Sequence, residues 1–220
     1  MIFKHRKMNL TDLIFWNVDT QIDFVYPRGK LYVEGAEELR PQWKELTELA
    51  KENAIRVVNT ADYHYANSAE LDSNPDFVNT FPEHCMAGTR GADYIRETEP
   101  EEPLIFDWDK EYLITPELFN REEHRNFVIR KDAFDVFTGN PMTDTILKQL
   151  NPDTVVVYGV TTNVCVDAAV RGLVKKVNKV YVVKDAIKEL PNIPLPFEIW
   201  EKKGVEMISL YELKKLLASN

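Results

Sequence analysis

Short runs of β-branched and aromatic residues alternate along the chain with longer, helix-like stretches. Most of the short runs are apolar throughout, which is typical of strands that are buried on both faces of a sheet. They predict strands at residues 13–19, 54–62, 126–131, 154–160, 179–186 and 205–210. The stretches between them predict helices at residues 36–53, 142–150, 163–177, 194–204 and 211–219. This order predicts an α/β fold, a Rossmann-like three-layer α/β/α sandwich around a mostly parallel sheet of about six strands.

Residues 63–125 interrupt the alternation, because they mix turn-forming residues, aromatic residues and carboxylates without a clear period. We expect loops and short helices there, above the sheet. Within them, residues 97–125 carry ten Asp or Glu against three Lys or Arg, and we interpret this acidic segment as a solvated face rather than a docking surface. A length of 220 residues with 44% apolar content suits one domain over residues 1–220.

Charge and composition narrow the choice of partners. A formal net charge of −9 without a basic cluster argues against nucleic acid and anionic membranes, so we expect a small-molecule ligand. No window approaches the ~20 apolar residues that a membrane span needs. The basic N-terminal residues resemble a signal peptide only superficially, since Asn17 and Asp19 interrupt the apolar run after about six residues. Two cysteines allow at most one disulfide, so we expect a reduced, cytoplasmic protein.

Chemically active side chains follow four of the predicted strands. They are Asp19, Asp62 with His64, Lys131, and Cys165 in the turn after the fourth strand. Each of these residues alone is weak evidence for a functional site, since a strand-terminal Asp often caps a helix and a lone buried cysteine usually packs in a core. Ligands of open parallel sheets bind beyond the carboxyl ends of the strands, however, so we expect these groups to converge.

Cys165 by itself could be a core residue, half of a disulfide, a metal ligand or a nucleophile. The pattern predicts that it lies at a helix N-terminus beside a lysine. There its pKa is expected to fall from ~8.5 to about 3.5–7.5, which would give a thiolate at neutral pH. A neighbouring Asp could accept the proton and return it to a leaving group, so the pattern favours a nucleophile.

Five segments of the chain, in order, resemble those of a known family. They are VDTQIDF (18–24), TADYH (60–64), FPEHCMAGTRGAD (81–93), VIRKDAFDVF (128–137) and YGVTTNVCV (158–166). The chain resembles the isochorismatase-like cysteine hydrolases, and more closely their nicotinamidase branch, from about residue 12 to residue 210.

The resemblance implies a catalytic triad. Asp19 would take the thiol proton, Lys131 would stabilise the charged state, and Cys165 would attack an amide carbonyl to form a thioester. It also implies a cis peptide bond between Val160 and Thr161, with the backbone N–H groups of Thr161 and Cys165 forming an oxyanion hole.

The resemblance further implies a divalent metal site formed by Asp62, His64 and His84, with zinc expected first and manganese or iron as alternatives. In nicotinamidases this metal binds the pyridine nitrogen of the substrate, directly or through water. Cys85, beside His84, is expected to pack or to support the ligands rather than to bind the metal. Family members commonly form homo-oligomers, so we expect one here.

The chain departs from the family pattern at three places. Where many nicotinamidases supply another histidine shortly after the D-x-H, this chain offers Asn67, Ser68 and Glu70. Phe81 replaces the usual Trp and could still stack on a planar ring together with Phe24. Phe134 and Phe137 stand where tyrosines are common, so we expect them to line a drier or differently shaped substrate pocket.

The sequence therefore predicts a metal-assisted amidohydrolase that cleaves a small carboxamide, first of all nicotinamide, to the acid and ammonia. The first alternative is a related cysteine hydrolase that acts on another small amide or carbamoyl compound without needing the metal. The second is a non-catalytic binding protein, because a fold alone does not confer chemistry.

Overall fold

A single parallel sheet forms the centre of the molecule. The structure is a computed structural model that describes residues 9–218, so the basic N-terminal residues, including His5, lie outside the described part. The strands are β1 (Leu13–Val18), β2 (Arg56–Asp62), β3 (Leu104–Phe106), β4 (Asn126–Lys131), β5 (Thr154–Val160), β6 (Lys179–Lys188) and β7 (Glu206–Ile208). Their order in the sheet is β3-β4-β2-β1-β5-β6-β7, and all six pairs of neighbours are parallel.

Helices cover both faces of the sheet. They are α1 (Ile22–Val25), α2 (Arg40–Glu52), α3 (Val136–Gly139), α4 (Thr143–Leu150), α5 (Cys165–Leu173), α6 (Phe197–Lys202) and α7 (Leu210–Ala218). Buried residues of α2 and α7 belong to the core on one face, and those of α4, α5 and α6 to the core on the other. The predicted α/β/α sandwich is therefore confirmed. No helix within residues 9–218 is long and apolar enough to cross a bilayer.

The central strand shows why its sequence is apolar throughout. In β1, Leu13 and Phe15 enter the core on one face, whereas Ile14 and Trp16 enter the core on the other. All six residues of β1 are buried, because alternate side chains point to opposite faces and helices cover both.

The prediction of about six strands was one short, because β3 was missed. This strand has only three residues, lies at the edge of the sheet and pairs with β4 alone. Three residues within a charged segment are too few to show a period. Ion pairs tie the acidic segment that contains β3 to the rest of the molecule: Glu97 contacts Arg40, and Glu101 contacts Lys51.

Candidate active site

The carboxyl ends of four adjacent strands bring the predicted groups together. The sheet order places β4, β2, β1 and β5 side by side. Asp62 and Lys131 are the last residues of β2 and β4, Asp19 directly follows β1, and Cys165 begins the helix after β5. Ligand atoms of Asp19, Asp62 and Cys165 lie within 4.8 Å of one another. The expected convergence is therefore present.

Lys131 lies between two carboxylates in the interior. Its side chain is 1% exposed, and its Nζ atom lies 3.0 Å from Asp19 Oδ2 and also contacts Asp62 Oδ1. Burial opposes the charge of Lys131, but Asp19 and Asp62 outweigh it and hold the pKa of Lys131 well above its usual range. The ammonium is therefore a permanent positive charge at the centre of the site.

Asp19 has a backbone conformation that Asp tolerates better than most residues. Its φ angle is 46°, in the left-handed region. The Thr60 hydroxyl donates a 2.6 Å hydrogen bond to Asp19 Oδ1. Burial raises the pKa of Asp19 to about 6, although Lys131 works in the opposite direction. Asp19 is thus ionised at neutral pH and able to accept a proton.

Cys165 differs from the expectation in its protonation state. The residue is 5% exposed, and burial raises the pKa of its thiol well above the usual range despite the charge of Lys131. The predicted fall of the pKa is therefore wrong, because burial destabilises the thiolate more than the charge of Lys131 stabilises it. The resting group is a thiol, and a base is needed to activate it.

The turn before Cys165 presents free backbone donors. The peptide bond between Val160 and Thr161 is cis, as predicted. Within residues 9–218, the backbone N–H groups of Thr161 and Cys165 have no hydrogen-bond acceptor, whereas Thr162 N–H donates to the Lys188 carbonyl. These two donors are available to an oxygen atom of a ligand.

A second group of ligand atoms lies beside the triad and has four members. Asp62, His64, Glu70 and His84 each place one ligand atom within 4.8 Å of the others, and all four residues are buried. His84 Nε2 lies 3.4 Å from Asp62 Oδ2, and His64 Nε2 lies 4.0 Å from the same atom. The three residues predicted from the sequence, Asp62, His64 and His84, lie together, and Glu70 joins them. These four residues are called the metal-ligand group below.

The hydrogen bonds of the imidazoles show that this group suits a metal ion. His64 Nδ1 is 3.1 Å from Asp132 Oδ1, and His84 Nδ1 is 2.7 Å from the Pro82 carbonyl oxygen. Because each ring donates from Nδ1, its Nε2 keeps a lone pair for a metal. Within the described residues, His64 Nε2 and Asp62 Oδ2 are buried without a hydrogen-bond partner. Two imidazoles and two carboxylates are ligands typical of zinc, manganese or iron.

The charges of the group also favour a cation. Burial would raise the pKa of Asp62, but the charge of Lys131 outweighs it and the pKa is lowered. Burial would lower the pKa of His84, but Asp62 raises it. The negative charge of Asp62 therefore favours a positive ion beside it.

A small cavity joins the triad to this group. The space inside it, about 10 Å³, is far smaller than the pockets that hold drug-sized ligands. Phe24, Phe81 and Phe134 form aromatic walls, and Asp62, Glu70, His84, Thr161 and Cys165 supply polar groups. The ring of Phe24 lies 5.2 Å from that of His84. Its aromatic walls suit the faces of a flat ligand.

Phe137 does not line this cavity, contrary to the sequence prediction. Its ring stacks on Trp16 at 6.2 Å. A Cβ atom at Gly172 would lie 2.1 Å from the Phe137 ring, so the ring packs closely against α5. Phe137, on α3, is half-buried and lines, together with Phe134, a separate groove beside α5. Cys85, the residue after His84, is completely buried in the core, and its Sγ atom lies 3.8 Å from the Gly91 carbonyl oxygen.

Comparison with known proteins identifies the family. Residues 13–192 match the Isochorismatase domain family. The chain belongs to the isochorismatase family. It is 34% identical over 77 residues to the nicotinamidase/pyrazinamidase of Mycobacterium tuberculosis. That match covers 35% of this chain and 40% of the relative, less than half the length of either.

Solved structures share the fold of this isochorismatase-family chain. The pyrazinamidase of Pyrococcus horikoshii, crystallised in complex with zinc, has a TM-score of 0.69 and 23% identity over 90% of this chain and 99% of its own. The N-carbamoylsarcosine amidase of Thermoplasma acidophilum has a TM-score of 0.69 and 20% identity over 90% and 96%. The predicted family and fold are confirmed.

Glu70 is the site residue that the sequence prediction left out. It follows the D-x-H at the place where a further histidine was expected, and a carboxylate can also bind metals. Glu70 is 6% exposed. One of its oxygens accepts a 2.5 Å hydrogen bond from Phe134 N–H. Burial raises the pKa of Glu70 to about 7, with Asp62 adding to the effect. Its position in a loop without a period hid its burial from the sequence.

Proposed function

We propose that this isochorismatase-family chain is a metal-assisted cysteine amidohydrolase that converts nicotinamide, or a closely similar small carboxamide, to the acid and ammonia. One observation carries the proposal: a single small cavity is lined by both Cys165 and members of the metal-ligand group. A thiol nucleophile and a site for orienting a ring thus face the same space.

The first half of the reaction uses the triad. Asp19 accepts the Cys165 thiol proton, and Lys131 stabilises the resulting thiolate, which adds to the amide carbonyl carbon. The oxygen of the adduct takes the negative charge and receives hydrogen bonds from the N–H groups of Thr161 and Cys165. The C–N bond then breaks, and the leaving amine takes the proton from Asp19 and departs as ammonia. A thioester on Cys165 remains.

The second half regenerates the thiol. A water molecule gives a proton to Asp19 as its oxygen adds to the thioester carbon. The C–S bond breaks, the acid is released, and the Cys165 thiolate recovers its proton from Asp19. A pKa of about 6 suits Asp19 to both directions of transfer, because the group both accepts and returns a proton near neutral pH.

Asp62, His64, Glu70 and His84 would hold the metal ion. Such an ion, when bound, would supply a Lewis acid beside the cavity that could orient a substrate ring through its nitrogen. Phe24 and Phe81, on the cavity walls, would contact the faces of that ring. We also infer a reducing, cytoplasmic location, which agrees with the free thiols of Cys85 and Cys165.

The first test is ammonia release from nicotinamide by the purified protein, supplied in turn with Zn²⁺, Mn²⁺ and Fe²⁺. We expect release that depends on added metal and is lost after chelation. Release from another small amide but not from nicotinamide would reject the named substrate and keep the hydrolase. No release from any amide in a broad panel would favour the non-catalytic alternative.

Glu70→Gln is expected to weaken zinc binding about 10-fold to 100-fold, because the amide has no negative charge to offer the ion. Titration of the apoprotein with Zn²⁺ against a chromogenic chelator measures the affinity. Glu83→Gln is the matched control, since Glu83 has an exposed side chain next to His84 in the sequence. Equal affinities for the two variants would remove Glu70 from the ligand set.

A further inference from the structure

Three buried amide side chains fasten the strand ends around the site in the same way. Gln21, Asn140 and Asn163 each donate hydrogen bonds to two backbone carbonyls and accept one from a backbone N–H. Each therefore joins segments that are separate in the sequence. Of the three, only Gln21 holds the backbone of a residue in the metal-ligand group.

The side chain of Gln21 hydrogen-bonds to both main-chain polar groups of Asp62. Its side chain is completely buried. Its Nε2 atom donates to the carbonyl oxygens of Asp62 and Ala92, both at 2.8 Å. Its Oε1 atom accepts the Asp62 N–H at 2.8 Å. These bonds use the N–H and C=O of Asp62 together, so they limit both the position and the rotation of its peptide groups.

The backbone of Gln21 also hydrogen-bonds to Asp19, the proposed catalytic base, so Gln21 links Asp19 with Asp62. Gln21 N–H donates to the Asp19 carbonyl oxygen at 2.7 Å. Asp19 N–H in turn donates to the Thr60 carbonyl oxygen at 3.2 Å, two residues before Asp62. A short closed set of hydrogen bonds thus links Asp19 to the end of β2.

The Asp62 carboxylate needs such precise support because it has two tasks. Its Oδ1 atom contacts Lys131, while its Oδ2 atom faces His84 at 3.4 Å and His64 at 4.0 Å. A small displacement would strengthen one set of contacts and lose the other. Groups that orient metal ligands commonly matter in this way.

We propose that Gln21 is a positioning residue that holds Asp62 where its carboxylate serves Lys131 and the metal ion together. The proposal rests on the metal-assisted reaction proposed above. Gln21 is not among the residues that line the cavity, and its side-chain hydrogen bonds to Asp62 go to main-chain atoms, so its effect on the ion would pass through the backbone of Asp62.

Gln21→Glu tests this with little change of shape. The new carboxyl group still accepts the Asp62 N–H, but it offers at most one donor to the two carbonyls, and none when ionised. We expect zinc affinity to fall about 10-fold to 100-fold, measured by chelator competition on the purified full chain. We also expect a changed visible absorption spectrum of the Co²⁺-substituted protein, because the ligand arrangement around the ion shifts.

Asn163→Asp is the matched control. Asn163 makes the same three kinds of bond, to the carbonyls of Leu190 and Ile193 and from the N–H of Leu190, but none to the metal-ligand group. It should lose stability while keeping the wild-type zinc affinity and Co²⁺ spectrum. If Gln21→Glu does not fold, as judged by circular dichroism, Gln21→Met supplies a second variant that lacks the amide and forms no repulsive contact.

The outcomes separate the two proposals. Wild-type protein that binds no Zn²⁺ would reject the metal-assisted function and the role of Gln21 with it. Wild-type binding that Gln21→Glu or Gln21→Met retains in full would reject the role of Gln21 alone. Equal weakening in the Gln21 and Asn163 variants would also reject it, because general loosening of the strand ends would then explain the loss.

Discussion

Cys165→Ala is expected to reduce ammonia release from nicotinamide by about 10⁴-fold or more, because no other group replaces the nucleophile. The variant should fold normally. The thiol contributes little to the core, so we expect the free energy of unfolding to fall by no more than about 2 kcal/mol. The ion pairs of Lys131 with Asp19 and Asp62 do not involve the sulfur and should remain. Initial rates with the metal-supplemented variant, and its urea unfolding curve, measure the two effects.

Cys85→Ala is the control for this substitution. Cys85 is the other free, buried thiol, and its pKa is also raised well above the usual range by burial. It packs in the core and does not line the cavity, so we expect turnover to persist. Full activity of Cys165→Ala, or an equal loss in both variants, would contradict the assignment of Cys165 as the nucleophile.

The protonation state of Cys165 changes how alkylation results should be interpreted. A resting thiolate would react with iodoacetamide faster than a free cysteine does. A buried thiol with a raised pKa is expected to react slowly until Asp19 removes its proton. Slow alkylation of the resting protein is therefore the expected result for a catalytic Cys165 and does not favour a non-catalytic protein.

Gly159→Ala is expected to lower the free energy of unfolding by about 3–5 kcal/mol. Gly159 has a φ angle of +120°, and a Cβ atom there would lie 2.0 Å from the carbonyl oxygen of Val18. Val18 and Gly159 are register partners in β1 and β5. The added methyl group would therefore push apart the two strands that carry Asp19 and the turn to Cys165. Urea unfolding measures the loss.

Gly204→Ala is the matched control, because it isolates the effect of backbone conformation. Gly204 has a φ angle of +78°, and no atom lies within 4 Å of a Cβ built there. The left-handed conformation alone costs about 1–2 kcal/mol. If Gly159→Ala loses no more stability than Gly204→Ala, the contact with Val18 is not the reason for glycine at position 159.

Much of the fold was readable from local pattern. Short runs rich in β-branched and aromatic residues marked six of the seven strands, namely β1, β2, β4, β5, β6 and β7. The placement of Asp19, Asp62 and Lys131 at strand ends predicted their convergence, because parallel strands present their carboxyl ends at one edge. The short strand β3 gave no such signal, since three residues cannot show a period.

The sequence by itself determined the order of strands and helices, the groups at the strand ends and the resemblance to the family. Only the tertiary structure decided the burial of each group and its partners from distant segments. Burial brought Glu70 into the metal-ligand group and kept Cys165 as a thiol, and packing on Trp16 took Phe137 away from the cavity. These properties depend on what surrounds a side chain in space, because desolvation and close packing come from residues far apart in the chain.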